Sequence, residues 1–84
     1  MKSKIVKCDH SGDSVLAEFD TESSTEVQVA QEALTNFLND CVKDHGEAPP
    51  VWGQRIGEDK FGMFNMDDIT EYQEVLIHAP IVGG

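Results

Sequence analysis

The chain has 84 residues, 39% of them hydrophobic, and its 16 acidic and 6 basic residues leave a net charge of −10. This length supports one small domain with a modest core and leaves little room for a deep catalytic cleft. The charge repels phosphate backbones, which argues against direct nucleic-acid binding and against anionic membrane surfaces.

The first predicted element is a β-hairpin over residues 4–20. KIVKC and SVLAEF are rich in strand formers, and DHSGD between them supplies Asp, Ser and Gly for a turn. In the second strand Val15, Ala17 and Phe19 alternate with mixed or polar positions. Since alternate residues of a strand point to the same side, we expect these three side chains to form its apolar face.

The second predicted element is an amphipathic helix over about residues 24–44. Ser23 and Glu26 have the spacing of a capping box at its start, and Gly46 is a natural C-cap residue after its end. A 3.6-residue period gives the helix one apolar face. That face consists of Val27, Ala30, Leu34, Phe37, Leu38 and Cys41.

The C-terminal half begins after EAPP, which breaks the chain. VWGQRI and FGMFNM predict a second hairpin over about residues 51–66, with GEDK as its turn. MDDITEYQ is predicted to be a turn or a short helical turn, and EVLIHAPI a last strand over about residues 74–80 before a tail of residues 81–84. The order ββαβββ predicts one α+β domain over residues 1–84, in which a single helix covers the apolar face of a mixed sheet.

Candidate metal ligands are present, but their spacing does not predict a metal site. Zinc requires four soft or borderline ligands that converge tetrahedrally. Cys8 and His10 are too close in sequence for the common pairings, and Cys41 and His45 supply at most half a site. The remaining candidate is His78, so we expect no bound metal.

Cys8 and His10 are also the pair that would suggest nucleophilic catalysis. No third orienting group or oxyanion loop accompanies them, so we expect the Cys8 thiol to pack in the hairpin and the chain not to be an enzyme. The two cysteines have no CxxC spacing, and neither a signal-peptide pattern nor an apolar run of about 20 residues is present. We therefore expect a cytoplasmic protein with reduced thiols and no membrane contact.

Aromatic and methionine side chains are dense between residues 52 and 66. They are Trp52, Phe61, Met63, Phe64 and Met66. Because a strand has two faces, not all of them can point into the core. One interpretation is an exposed patch, including Trp52, Phe64 and Met66, that binds a protein partner. The other is that alternate members fill the core and the rest are partly covered.

The closing stretch EVLIHAPIVGG is the most informative for function. Glycine has no Cβ, so an end formed by Gly83 and Gly84 can thread a narrow slot and bring a carboxylate to a reactive centre. That carboxylate could attack the α-phosphate of ATP to form an acyl-adenylate, from which a thiol or sulfide displaces AMP. The alternatives are a frayed end or a trimmed one.

The element order and this closing stretch resemble the β-grasp fold of ubiquitin-like proteins. The end is similar to that of the molybdopterin-synthase small subunit and the thiamine sulfur carrier, where a Glu-Val strand start, aliphatic residues, a proline and a small or apolar pair precede the diglycine. Glu74, Val75 and Pro80 hold those places here, ahead of Gly83 and Gly84.

The resemblance implies a protein carrier or modifier that an E1-like adenylating enzyme activates. Gly84 would carry the activated carboxylate and Gly83 would give access to it, while Ile81 and Val82 would bind in the partner's groove. A carrier of this kind binds no cofactor and catalyses nothing alone. Its acidic surface would suit a basic groove on the activating enzyme.

Two other classes of function stay open. An acidic protein-binding module or inhibitor would hold a basic protein through its charged face and the cluster from Trp52 to Met66, without covalent chemistry. One form of such a module is a mimic of nucleic-acid charge. A structural accessory domain of a larger assembly is the third class. Solubility alone would also account for the net charge.

Overall fold

A computed structural model describes residues 1–9 and 12–78 of the chain. The prediction of an α+β arrangement, with one main helix and a mixed sheet, is confirmed for these residues. The elements in chain order are β1 (Lys2–Asp9), β2 (Gly12–Asp20), α1 (Ser24–His45), β3 (Val51–Arg55), β4 (Phe61–Met63), a 3₁₀ helix (Met66–Glu71) and β5 (Tyr72–His78).

The strands form one five-stranded sheet in the order β2-β1-β5-β3-β4. β5 is the central strand and runs parallel to β1 on one side and antiparallel to β3 on the other. The pairs β1–β2 and β3–β4 are antiparallel. The last strand is thus hydrogen-bonded on both edges, whereas β2 and β4 are the edge strands.

Ser23 and Gly46 cap helix α1 as the sequence predicts, and the helix ends at His45, one residue beyond the predicted end near residue 44. The Oγ of Ser23 accepts the backbone N–H of Glu26 at 3.3 Å. The Glu26 carboxylate accepts the backbone N–H of Asp20 at 3.1 Å and so ties the helix to the end of β2. Gly46 takes a left-handed backbone conformation with φ of 86°, and its N–H donates to the Val42 carbonyl. Glycine adopts this conformation without steric cost, which ends the helix.

The core lies between α1 and one face of the sheet. The predicted apolar face of the helix is the face that packs: Leu34 is fully buried, and Phe37 and Leu38 are partly buried against the core. The 3₁₀ helix closes one end of the core with Ile69. The fully or nearly fully buried members are Ile5, Phe19, Ala30, Leu34, Ile69, Tyr72, Val75 and Ile77.

The prediction that Val15 shares a face with Ala17 and Phe19 is wrong. A register shift between β1 and β2 leaves one extra residue, Leu16, in β2, and places Val15 opposite Val6. Such a β-bulge interrupts the alternation of side chains along a strand. Phe19 is therefore fully buried and Ala17 packs against the core, whereas Val15 is 52% exposed on the other face.

Tyr72 connects β5 to the chain that follows β4. Its ring is fully buried, with its centroid 5.0 Å from that of Phe64, and the Arg55 guanidinium carbon lies 4.9 Å from the Tyr72 centroid. Its hydroxyl donates to the Met63 carbonyl at 3.2 Å and accepts the Asn65 N–H at 3.1 Å. The hydroxyl thereby holds the backbone at the point where β4 ends.

Gly53 in β3 leaves the space that the Tyr72 ring fills. A Cβ at this position would lie 2.5 Å from two ring carbons of Tyr72 and 3.2 Å from a ring carbon of Phe64. A carbon–carbon distance of 2.5 Å is far below van der Waals contact, which is about 3.5–4.0 Å. A glycine is therefore required here by packing, since a side chain would displace a buried ring.

Replacement of Ser3 by alanine is expected to lower the free energy of unfolding by about 1 kcal/mol. Ser3 is 3% exposed, and its Oγ donates a hydrogen bond of 2.7 Å to the Tyr72 carbonyl. The substitution removes this donor from the buried carbonyl. Equilibrium urea unfolding measures the change, with Ser14→Ala at an exposed position of β2 as the control. An equal effect of the two substitutions would contradict the prediction.

Candidate protein-interaction surface

On the sheet face turned away from α1, a series of apolar side chains crosses all five strands, with one member on each strand. Consecutive members are register partners on neighbouring strands, so they form one continuous series across the sheet. Neighbouring strands lie about 4.8 Å apart, which makes the series about 19 Å long. We call this series the open-face row, and its members in order are Val15, Val6, Leu76, Trp52 and Met63.

The orientation of the row follows from strand alternation. Val75 and Ile77 in β5 are fully buried in the core, so Leu76 between them points to the opposite face. Exposure is greatest near the sheet edges, because an edge strand has a neighbour on one side only. Trp52 is 42% exposed and Met63 86%.

Mostly polar residues border the open-face row on both sides. Their carboxylates outnumber their amines by three to one, which leaves a net charge of −2 with histidine neutral. Phe61 extends the apolar surface at the β4 end and is 39% exposed. We call the rest of these residues the acidic border: Glu18, Lys4, Glu74 and Gln54 on one side, and Asp13, Cys8 and His78 on the other.

Cys8 lies between Asp13 and His78 in the strand register. Burial raises the pKa of the Cys8 thiol, and a hydrogen bond to the Asp13 carboxylate raises it further. The thiolate is the nucleophilic form of cysteine, so these surroundings disfavour nucleophilic catalysis by Cys8. His10, which the sequence places two residues away, lies outside the described residues.

The other candidate metal ligands are one cysteine on α1 and two histidines that share a surface pocket. Cys41 is buried on α1, and both described cysteines are free thiols. His45 and His78 line a surface pocket of ≈ 190 Å³ beside Pro49 and Pro50. Over residues 1–9 and 12–78, no group of three or more His, Cys, Asp or Glu side chains is placed to hold a metal ion.

The predicted partner-binding residues divide into three groups. Trp52 lies in the open-face row. Phe64 and Met66 are half-buried and pack against the core, because the chain turns inward after β4 ends at Met63. Partner binding by these residues stays a prediction, but the exposed members of the aromatic and methionine cluster are Trp52, Phe61 and Met63. The predicted tail residues Ile81, Val82, Gly83 and Gly84 lie outside the described residues.

Sequence patterns did not identify the open-face row as a set. Its members become neighbours only through strand pairing, and the bulge at Leu16 puts Val15 on this face. One signal was available in EVLIH, where Leu76 separates Val75 from Ile77. A strand that is apolar on both faces is typical of a sheet covered on both sides.

Comparison with protein-family models, with curated proteins and with solved structures gives no match for this chain. Among the described residues, no helix combines the length and the apolar character needed to cross a membrane.

Proposed function

We propose that this chain is a β-grasp domain of the ubiquitin-like type, and that it acts as a small protein carrier or modifier activated by an E1-like adenylating enzyme. The observation that supports the proposal is the arrangement of the elements. The order ββαβββ forms one mixed sheet on one helix, and in sequence its central strand β5 is followed by the six residues that include Gly83 and Gly84.

The position of β5 suits a carrier because the strand that precedes the tail is held in the sheet on both edges. β5 pairs with β1 and β3, and Val75 and Ile77 are fully buried. The N–H of His78, the last described residue, donates to the Pro50 carbonyl at 3.1 Å. A partner that binds the sheet therefore has a fixed reference for the six residues that follow.

The proposed chemistry takes place at the Gly84 carboxylate in the active site of the partner. A carboxylate oxygen attacks the α-phosphorus of ATP, the bond from that phosphorus to the bridging α–β oxygen breaks, and pyrophosphate leaves. A thiol or sulfide then attacks the glycyl carbonyl carbon, and AMP leaves. Gly83 has no Cβ and so allows passage through a narrow slot. Ile81 and Val82 bind in the groove of the enzyme.

The proposal includes the cytoplasm as the site of action. Cys8 and Cys41 are free, and thiols stay reduced in that compartment. The chain supplies no cofactor and catalyses no step by itself. The acidic border favours an activating enzyme whose docking groove is basic.

ATP–pyrophosphate exchange tests the carrier function. An E1-like enzyme from the same organism is expected to exchange labelled pyrophosphate into ATP only when the 84-residue chain is added. The same enzyme without the chain is the control. Failure of every E1-like enzyme of that organism to respond to the chain would overturn the proposal.

The open-face row favours a second candidate function, an acidic protein-binding module or inhibitor that holds a basic protein without covalent chemistry. The row and the acidic border lie on the strands and include no residue of the tail. Binding of this kind would persist after removal of Gly83 and Gly84, whereas carrier activity would not. A truncated chain therefore separates the two candidates.

A further inference from the structure

We propose that the open-face row is a docking surface for an amphipathic helix of a partner protein, one whose apolar stripe is flanked by arginine or lysine. The inference deepens the second candidate function, protein binding, and rests on it rather than on the chemistry of the tail. It names the surface on this chain and the chemistry of the segment that binds there.

The apolar character of the partner's stripe follows from the row itself. Val6 and Leu76 connect Val15 to Trp52, so no polar side chain interrupts the series between the two edges of the sheet. Trp52 and Met63 are register partners, and together they expose the largest side chains of the row. Tryptophan and methionine are enriched in protein interfaces, where tryptophan often contributes much of the binding energy.

The basic flanks of the partner follow from the acidic border. Glu18 and Glu74 are both register partners of Lys4, so the lysine lies between two carboxylates, and Asp13 adds a third on the other side of the row. The chain as a whole carries −10. A second copy of this chain, a nucleic acid or an anionic membrane would bring charge of the same sign, whereas arginine and lysine would pair with the border.

A helix suits this surface better than an extended peptide. An extended peptide needs partners for its backbone N–H and C=O groups, and such partners are available at a sheet edge. Backbone groups in the interior of the sheet are already paired, and the face offers side chains only. A helix satisfies its own backbone groups, and about 13 residues at 1.5 Å per residue match a row about 19 Å long.

Two synthetic peptides test the proposal. Each is a capped 14-residue helix with a leucine stripe and no tryptophan; one has arginine beside the stripe, and the other has glutamate. Trp52 is the chain's one tryptophan, so its emission reports burial of the row directly. The arginine peptide is expected to shift the emission to shorter wavelength in a saturable titration, and its affinity should fall with added salt. The glutamate peptide is expected to cause no shift.

Matched substitutions connect the binding to this face. Met63→Gln removes the most exposed apolar side chain of the row. We expect it to lower the affinity for the arginine peptide about tenfold. Val29→Thr is the control, because Val29 is 60% exposed on α1, which packs on the other face of the sheet, and the substitution should leave the affinity unchanged. The chain without Gly83 and Gly84 should also bind as the full chain does.

Several results would overturn the proposal. Equal weakening by Met63→Gln and Val29→Thr would place the binding elsewhere. Equal affinity for an arginine peptide whose leucines are replaced by serine would show that the binding depends on charge alone and not on the apolar stripe. Dimers in sedimentation equilibrium that Met63→Gln dissociates would identify a second copy as the occupant. Peptide binding without pyrophosphate exchange would reject the carrier alone, and exchange without peptide binding would reject this inference alone.

Discussion

Removal of Gly83 and Gly84 is expected to lower pyrophosphate exchange with the activating enzyme by at least about 100-fold. The shortened chain still ends in a carboxylate, so the expected loss comes from reach rather than from the chemical group. Two extended residues span about 7 Å, and a misplacement of 1 Å at a reacting atom can already cost about 100-fold. Equilibrium unfolding by urea is measured in parallel, because the comparison requires that the shortened chain keep its fold.

Two further variants separate reach from access to the slot. A chain with alanine at both terminal positions keeps the length and adds two methyl groups, so loss of exchange would show that the slot excludes a Cβ. Gly62→Ala is the matched control, since a Cβ at Gly62 meets no atom within 4 Å. Undiminished exchange by the truncated chain would reject the carrier function.

The largest expected effect on stability comes from Tyr72→Ala, at about 3–5 kcal/mol of the free energy of unfolding. The substitution empties a fully buried site, removes the contact with Phe64, and deletes the hydroxyl that holds the backbone of Met63 and Asn65. A domain of this size is stable by only about 4–13 kcal/mol. We therefore expect a large fall in the urea midpoint, measured by far-UV circular dichroism.

Comparison with two other variants identifies the cause. Tyr72→Phe keeps the ring and removes the hydroxyl, so it is expected to cost about 1–2 kcal/mol. Gly53→Ala forces a methyl group toward the Tyr72 ring and should cost about 1–3 kcal/mol in the native background. In the Tyr72→Ala background the same methyl has room, and its cost should nearly vanish. Strict additivity of the two substitutions would contradict the packing explanation.

The helix and most strands could be predicted from the sequence because their signals are local. Ser23 and Gly46 mark the two ends of α1 with side-chain and backbone chemistry that acts within a few residues. The end of β4 could not be predicted in this way. FGMFNM reads as one strand, yet pairing stops at Met63, because the Tyr72 hydroxyl binds the backbone on both sides of Phe64.

The candidate interaction surface was less predictable than the fold. The sequence predicts that some of the large side chains between residues 52 and 66 lie outside the core, and Trp52 is one that the structure leaves partly exposed. Val6 and Leu76 could not be assigned to this surface from the sequence. They become neighbours only when β1 and β5, which are far apart in the chain, pair in the sheet. The bulge at Leu16 has no local signature in SVLAEF, so alternation alone put Val15 on the wrong face.

The pairing of β1 with β5 also has a consequence for synthesis. Lys4 emerges from the ribosome long before its partner Glu74. The sheet therefore cannot form completely until the last strand has been synthesised. Contacts between residues so far apart in sequence slow folding, because a long loop must be ordered before they form. Nascent chains that lack β5 leave one edge of β1 unpaired and Ile5 without its neighbour Val75, and an unpaired strand edge of this kind favours aggregation.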